Sequence, residues 1–526
     1  MGKMMKISLP VFLLTVCALF TPTAFVQAQE QTLVMAMSAT PKGFDPDIWV
    51  PGQIEAAVNL YEGLTRYGTR VGAHGKTEIN PAKIEPHLAE SWSVSKDGKS
   101  YLFKLKRGVK SPFGNELTAQ DIVWTYEKSA AQKRTGQFMR SAARIEKVEA
   151  VSKYEVRYVL SDANRIFLGA LSLHLPAIFD SVEAKKHATP EDPYATKWLA
   201  LNTAGYGPYH LQSLQAGQQA VFVVNPNYAF KKPYYTRMIW REVPSPATRV
   251  ALVRTGQVQY AEQIPFQQLS GLRADRSVKV ESVPGFGGAT VRMNPRFPPF
   301  DKVKVRQAVA YATDYAAIGE AVFLGQGTRS RSMLNSPIPG AVSAYKYETD
   351  YNKAKQLLTE AGYPNGVDIT LEYSTNWWWE EPLALQLQAS LAKAGIRMTP
   401  KRIPSTEMLA RRTINVWSVP FLTHLTSSFV PDPSYNMFLT AHCKGSSNVN
   451  ANCDAAMDKL IDASVVERDE KKWLELIEQA QQLQADSATF IETYLPGTHE
   501  VFAACVKGYL WKPHNRLVWK DLTCAP

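Results

Sequence analysis

Cysteine is scarce, at five of 526 residues. No C-x-x-C occurs, and His442 beside Cys443 has no companion ligand, so the spacing of a structural zinc site is missing. A chain this long has ample core and does not depend on disulfides to fold. Long apolar runs are absent after the first twenty residues, so no later segment offers the roughly 20 apolar residues of a membrane-spanning helix. Dense Lys/Arg blocks with interleaved aromatics are lacking too, which argues against nucleic acid as a partner. The signatures G-x-S-x-G and H-E-x-x-H do not occur, and the nine histidines are scattered. One S-x-x-K, Ser93 to Lys96, has no K-T-G partner. The adjacent acids Glu380 and Glu381 read as a helix start serving its dipole. No catalytic set assembles, and neither enzyme activity, a cofactor nor a metal is expected. Repeats and low-complexity blocks are also missing, which favours interwoven domains over beads on a string.

What is present begins with an export pattern. Lys3 and Lys6 precede an apolar run from Ile7 through Phe20, and small residues lead to Val26-Gln27-Ala28. This reads as a secretory signal peptide cut after Ala28, the run being short and wrongly flanked for a permanent anchor. Leu14-Thr15-Val16-Cys17 falls short of a lipid-attachment site because Val16 is large where a small residue belongs, so Cys17 leaves with the peptide. The 526 residues less these 28 leave 498, or two to four domains at ~100–200 residues each. Four cysteines remain for an oxidising compartment: Cys443, Cys453, Cys505 and Cys524. They allow three pairings, of which the two local ones, Cys443 with Cys453 and Cys505 with Cys524, are the simplest. The formal charge of +11 becomes +9 without Lys3 and Lys6, a solvated basic surface on a soluble mature protein.

Strand patterns occur at Thr32 to Met37, Tyr101 to Leu105, Glu155 to Leu160 and Ala220 to Val224, with a helix from Ala119 through Ser129 capped by Thr118. Further along, Asp301 is placed to cap a helix from about Val303 to Phe323. A helix from Asn352 to Ala361 stops at Gly362-Tyr363-Pro364. Strand Val367 to Tyr373, helix Glu380 to Ala394 and strand Ile396 to Ile403 follow, a βαβ order that implies parallel strands covered by helices.

The run from Pro86-His87-Leu88-Ala89-Glu90-Ser91-Trp92 through Lys96-Asp97-Gly98 to Leu105-Lys106-Arg107-Gly108 and Leu117-Thr118-Ala119-Gln120-Asp121 reads as a hairpin followed by a capped helix. Together with Gly205-Tyr206-Gly207-Pro208-Tyr209, Asn225-Pro226-Asn227-Tyr228, Val305-Arg306-Gln307-Ala308 and Ala354-Lys355-Gln356-Leu357-Leu358 through Gly366, it resembles the extracellular solute-binding proteins of peptide, nickel and opine ABC importers. These matches span nearly the whole mature chain. The resemblance implies an α/β fold, the type II (cluster C) periplasmic binding protein with two lobes, a cleft and an extra inserted domain. It implies lobe I from residues 29–62, 207–288 and 502–526, the inserted domain from 63–206, and lobe II from 289–501. It further implies a periplasmic monomer that closes on a small-molecule ligand and docks on an ABC permease.

The same resemblance assigns site residues. Pro41-Lys42-Gly43-Phe44-Asp45-Pro46 matches a loop lining the cleft, through Gly43 and Phe44, and Cys443 with Cys453 matches a cysteine pair near the second lobe's cleft. Peptide binders of the family place an aspartate four residues before the proline of an acid-proline pair to hold the ligand's ammonium. Here that position is Phe429, followed by Val430 and Asp432. The arginine expected for a dipeptide's carboxylate is missing, residues 374–379 reading Ser-Thr-Asn-Trp-Trp-Trp. Loss of both contacts removes roughly 1.5–3 kcal/mol each from a zwitterionic dipeptide. Aromatic surface stands in their place: Trp377, Trp378, Trp379 and Phe429, with Trp49 from the first lobe. Three consecutive tryptophans cannot all point one way, and an Asp-Pro pair such as Asp432-Pro433 also serves as a plain turn. The family's nickel binders carry histidine after that pair, where this chain has Ser434. Hydrophobic peptides with ends held elsewhere, sugars, opines and aromatic conjugates all fit such a surface.

Overall fold

The computed structural model describes residues 1–2, 31–48, 50, 52–72, 75–132, 142–172, 177–285, 287–334, 338–374, 377–404, 407–408, 419–427, 430–512 and 516–524, the side chains of 425–427 excepted. The expected signal peptide and its cleavage point lie outside these residues. No helix among those described is long and apolar enough to cross a membrane.

Two mixed sheets carry the molecule. The first has seven strands, in spatial order Val278–Val283, Thr498–Ala503, Tyr260–Ala261, Thr32–Met37, Arg237–Glu242, Gln219–Val224 and Tyr209–Gln215. Its central strand, β1 (Thr32–Met37), runs parallel to both neighbours, pairing Met35 with Trp240 on one side and with Tyr260 on the other. The second sheet has six strands, in the order Gly327–Arg329, Phe490–Pro496, Gly287–Met293, Phe421–Ser427, Val367–Tyr373 and Ile396–Arg402. The expected βαβ unit is here: Val367–Tyr373 and Ile396–Arg402 pair in parallel on either side of the helix Glu380–Ala392.

Residues 65–160 hold a two-stranded ribbon and a four-stranded antiparallel sheet of Ala89–Val94, Ser100–Leu105, Glu155–Leu160 and Ile145–Ser152. The Lys96-Asp97-Gly98 turn closes its first hairpin, with Gly98 at φ 72°, where glycine carries no Cβ penalty. The helix Ala119–Gln132 opens as expected, Thr118 donating from its N–H and Oγ1 to the Asp121 carboxylate at 2.8 and 3.0 Å.

The helix expected from Val303 to Phe323 is broken in two. Its first part, Val303–Ala312, follows Lys302 without a side-chain cap, so Asp301 does not serve there. At Thr313 and Asp314 the side chains bond the backbone instead, Thr313 Oγ1 to Val309 O at 2.8 Å and Asp314 Oδ1 to Ala317 N–H at 3.1 Å, which ends one helix and caps the next turn. Residues Ile318–Val322 continue as a π-turn.

The chain passes between the two large sheets after Val283 and at Gly497, so Gly287–Met293 belongs wholly to the second sheet and Thr498–Ala503 wholly to the first. The crossings touch backbone to backbone: a Cβ on Gly285 would lie 1.8 Å from the Pro496 carbonyl oxygen, leaving room for glycine alone. One apolar cluster runs through both large sheets, including Met35, Trp240, Val291, Leu371 and Phe502. A second joins the four-stranded sheet, through Phe103 and Phe167, to Val430, Tyr435, Trp473 and Ile477.

Candidate functional site

In α/β sheets the crevice for a ligand opens beyond the carboxyl ends of parallel strands, where the chain turns to opposite sides. Here that point lies beyond Met37. The segment after β1 is fastened by two carboxylates in the same way. Glu262 accepts from the Ser38 N–H and hydroxyl at 2.8 and 2.7 Å, and Glu242 from the Thr40 N–H and hydroxyl at 2.7 and 2.9 Å. Farther along, Lys128 reaches from the helix Ala119–Gln132 to Asp45 Oδ1 and Oδ2 at 2.8 and 2.9 Å and to Asp47 Oδ2 at 2.7 Å. All three side chains are at most 2% exposed, and the ammonium lies 4.5 Å from the Phe179 ring centroid. Burial pushes the Lys128 ammonium down, but Asp47 and Asp45 outweigh it and hold it above its ordinary value. Burial likewise raises the Asp47 carboxyl, with Lys128 opposing.

Gly43 is buried beside Ala200, whose carbonyl accepts the Phe44 N–H at 3.1 Å; a Cβ on Gly43 would lie 3.1 Å from that oxygen. The Phe44 ring departs from expectation. It is fully buried in the first sheet's core, edge-on to Phe222 at 5.9 Å, so it anchors the loop instead of facing an open cleft. The apolar ring between Gly43 and Asp45 goes to the core because the loop's charges are already taken by Lys128.

On the opposite side, the segment before the helix Glu380–Ala392 is tied down by Glu380, which accepts from Ser374 N–H and Oγ and from Thr423 Oγ1 at 2.8 to 3.1 Å. The three tryptophans divide. Trp379 is 2% exposed and belongs to the core near Phe323. Trp378 is half-buried between Phe323, at 5.8 Å, and Phe266 of the first lobe, at 4.7 Å, both edge-on. Trp377 is half-buried, and its carbonyl accepts the Glu380 N–H at 3.2 Å. Trp49 and Phe429 lie outside the described residues.

Val430 is fully buried against Gly169 of the short helix Phe167–Ala170. Asp432 acts as a helix cap: it accepts the Tyr435 N–H at 3.1 Å at the start of Pro433–Ala441, with Arg165 Nε 3.9 Å away. Burial raises its carboxyl above the usual range, against the pull of that N–H and of Arg165. Both local disulfides are present, Cys443–Cys453 and Cys505–Cys524, with Cα atoms 4.6 and 4.9 Å apart. Among the described residues no group of three His, Cys, Asp or Glu side chains is placed to hold a metal.

Several residues at this edge escaped the sequence reading. Lys128, Glu242 and Glu262 come from separate parts of the chain, and only the fold brings them to one loop. Asp45 and Asp47 flanking Pro46 carried a local signal, since two acids so close in a buried segment require a cation. Glu500 lies beyond Glu262, accepting from Tyr260 Oη at 2.6 Å; burial, with Glu262 adding to it, pushes its carboxyl up to about 7.

Comparison with known proteins places this arrangement. Residues 83–448 match the model of the bacterial extracellular solute-binding proteins, family 5. A probable D,D-dipeptide-binding periplasmic protein of Escherichia coli K12 is 27% identical, with 96% of each chain covered. The periplasmic binding protein DppA of Helicobacter pylori, in complex with the peptide STSA, superposes with a TM-score of 0.82 at 22% identity, over 94% of this chain and 99% of the other. An Agrobacterium tumefaciens binding protein in complex with mannopinic acid gives 0.80 at 24% identity, over 94% and 100%. These structural likenesses carry the fold, two α/β lobes of the type II periplasmic binding proteins. The chain belongs to the bacterial extracellular solute-binding proteins, family 5.

Proposed function

We propose that this chain is the exported capture component of an ABC importer, taking a peptide or peptide-like molecule between its lobes and presenting it to the permease. The observation that carries the reading is the segment after β1, fixed at Ser38, Thr40, Asp45 and Asp47 at the carboxyl end of the central parallel strand, facing the point where the chain crosses between sheets. Such a loop is preorganised to receive a ligand, and the relatives named above bind dipeptides and peptides. On this reading the mature protein starts after Ala28, acts in the periplasm as a monomer without catalysis, and takes its two lobes and inserted domain from the residues assigned above. The two crossing segments are its hinge.

A second ligand class has one observation in its favour. The chain lacks an acid at position 429 and an arginine in 374–379, and offers Trp377 and Trp378 half-buried at the second lobe's edge. This favours a bulkier or less charged molecule, such as an opine, glycoside or aromatic conjugate. Native mass spectrometry of the exported protein, followed by denaturing release of the co-purified molecule, tests both. A released peptide supports the first reading; an opine or sugar replaces it with the second. Turnover of the released molecule on re-addition would overturn capture in favour of catalysis.

A further inference from the structure

We infer that Gln53 is the uncharged anchor for the ligand, its carboxamide exchanging one donated and one accepted hydrogen bond with a peptide group of the captured molecule. The inference rests on the peptide-like reading above and says how such a ligand is gripped without charge clamps.

Gln53 opens α1 (Gln53–Leu60), the first helix after β1. It is held beside the segment that follows β1, where Gly52 packs against Pro41 and Ser38 and Thr40 are fastened by Glu262 and Glu242. Its placement is tightly set. Gly52 before it takes φ 76°, a Cβ there would lie 2.8 Å from Pro41 Cα, and the Gln53 N–H donates to Val50 O at 3.1 Å.

The side chain is 0% exposed, and neither Nε2 nor Oε1 has a hydrogen-bond partner among the described residues. Among the described residues it alone has two such atoms. Because both ends are unpartnered, the result does not depend on which way the amide is turned. Buried polar groups are ordinarily satisfied, and each exception calls for an explanation. Methionine has nearly the same shape and no such demand, so packing gives no reason for glutamine here.

The chemistry of the missing partner follows from the amide. A ligand carboxylate would accept from Nε2 and leave Oε1 unsatisfied, and an ammonium would do the reverse. A peptide group supplies a donor and an acceptor together. This neutral pairing suits a cleft with no acid at 429 and no arginine in 374–379.

The test uses the mature full-length protein, its Gln53→Met variant, and a pool of hydrophobic di- and tripeptides with free and blocked ends. Thermal unfolding shifts select the binders, and calorimetry measures them. The expected result is a wild type stabilised by the pool and a ligand-free variant that melts at or above the wild type. The variant should bind the selected peptide roughly ten- to a hundredfold more weakly, the worth of two neutral hydrogen bonds. Replacing the ligand's amide with an ester should then weaken wild type but not the variant. Equal affinity in both proteins overturns the inference and leaves the peptide reading intact. A wild type unmoved by the pool overturns that reading and the inference with it. A variant that melts well below wild type assigns the carboxamide to structure and also overturns it. Should Gln53→Met fail to fold, Gln53→Glu serves: it keeps an acceptor and loses the donor, and unchanged peptide affinity would count equally against the anchor.

Discussion

Replacing Lys128 by methionine removes the one cation between Asp45 and Asp47 while keeping most of the side chain's volume. All three groups are essentially excluded from solvent, and three contacts of 2.7 to 2.9 Å are lost together. Breaking a buried ion pair by deleting one partner costs about 3–5 kcal/mol, mostly from the charge left behind, and here two carboxylates are left facing each other. At neutral pH they must share a proton. With the ammonium gone, burial and mutual repulsion raise the pair's titration well above the ~3.9 of an unfolded aspartate. The native variant then binds more protons than the unfolded chain, so its stability falls as pH rises through that raised value and recovers in acid. Urea unfolding of both proteins at about pH 7.5 and pH 5 reads this directly. The variant should lose about 3–5 kcal/mol at the higher pH and distinctly less at the lower. Lys128→Met combined with Asp45→Asn and Asp47→Asn should recover much of the loss at either pH. A single variant within about 1 kcal/mol of wild type, or a deficit that does not shrink in acid, would refute the account of the loop as held by buried charge.

Glu500→Gln should stabilise the protein increasingly as pH rises from about 5 to 8. The wild-type carboxyl, held up to about 7, favours folding only while protonated, so the gain reaches on the order of 3 kcal/mol once both unfolded and folded forms would ionise; urea midpoints across that range check it, and a flat difference contradicts it. Arg144 pairs with Asp462 at 2.7 Å and Arg165 with Glu470 at 3.0 Å, tying residues beside the four-stranded sheet to the helices Ala455–Val466 and Glu470–Ser487. As these pairs are partly exposed, Arg144→Ala with Arg165→Ala should cost about 0.2–1 kcal/mol each. That shows as a small loss in urea midpoint at low salt, with the difference fading at about 1 M salt. Opening the Cys443–Cys453 bridge, whose cysteines are 10 residues apart, by a double serine substitution should cost roughly 3 kcal/mol by loop entropy, measured as a loss in urea midpoint under oxidising conditions.

What the sequence made legible was local. The hairpin turn at Lys96-Asp97-Gly98, the cap at Thr118 and the βαβ unit around Glu380–Ala392 each rest on contacts between near neighbours, and all are present. The helix from Val303 failed where a local signal was misweighed: Thr313-Asp314 is a stop and a new cap, yet the apolar spacing continued across it. Phe44 failed for a different reason. The resemblance placed its loop at the cleft, but which way a single ring turns depends on Phe222, far along the chain. Lys128, Glu242 and Glu262 were illegible because each looks like a surface residue until its partner arrives from elsewhere. Of the three tryptophans only the rule that consecutive side chains diverge was readable, and Trp379 in the core with Trp378 between two phenylalanines follows it.

The magnitudes also separate what holds the loop after β1 from what joins the four-stranded sheet to the helices after Pro433. Inside the first lobe and its inserted domain, the loop after β1 is held by fully buried charge, worth several kcal/mol at a single cluster. Between the residues around the four-stranded sheet and the helices after Pro433, the charged contacts among the described residues include Arg144 with Asp462, Arg165 with Glu470, with Asp432 and over the Trp473 ring, and Arg468 with the Asp97 carbonyl at 2.6 Å. Their partners Asp462 and Glu470 are more than half exposed, and such pairs are worth a fraction of a kcal/mol each and are screened by salt. These exposed pairs thus add little to a junction whose main support is the buried apolar cluster that joins Phe103 and Phe167 to Val430, Tyr435, Trp473 and Ile477.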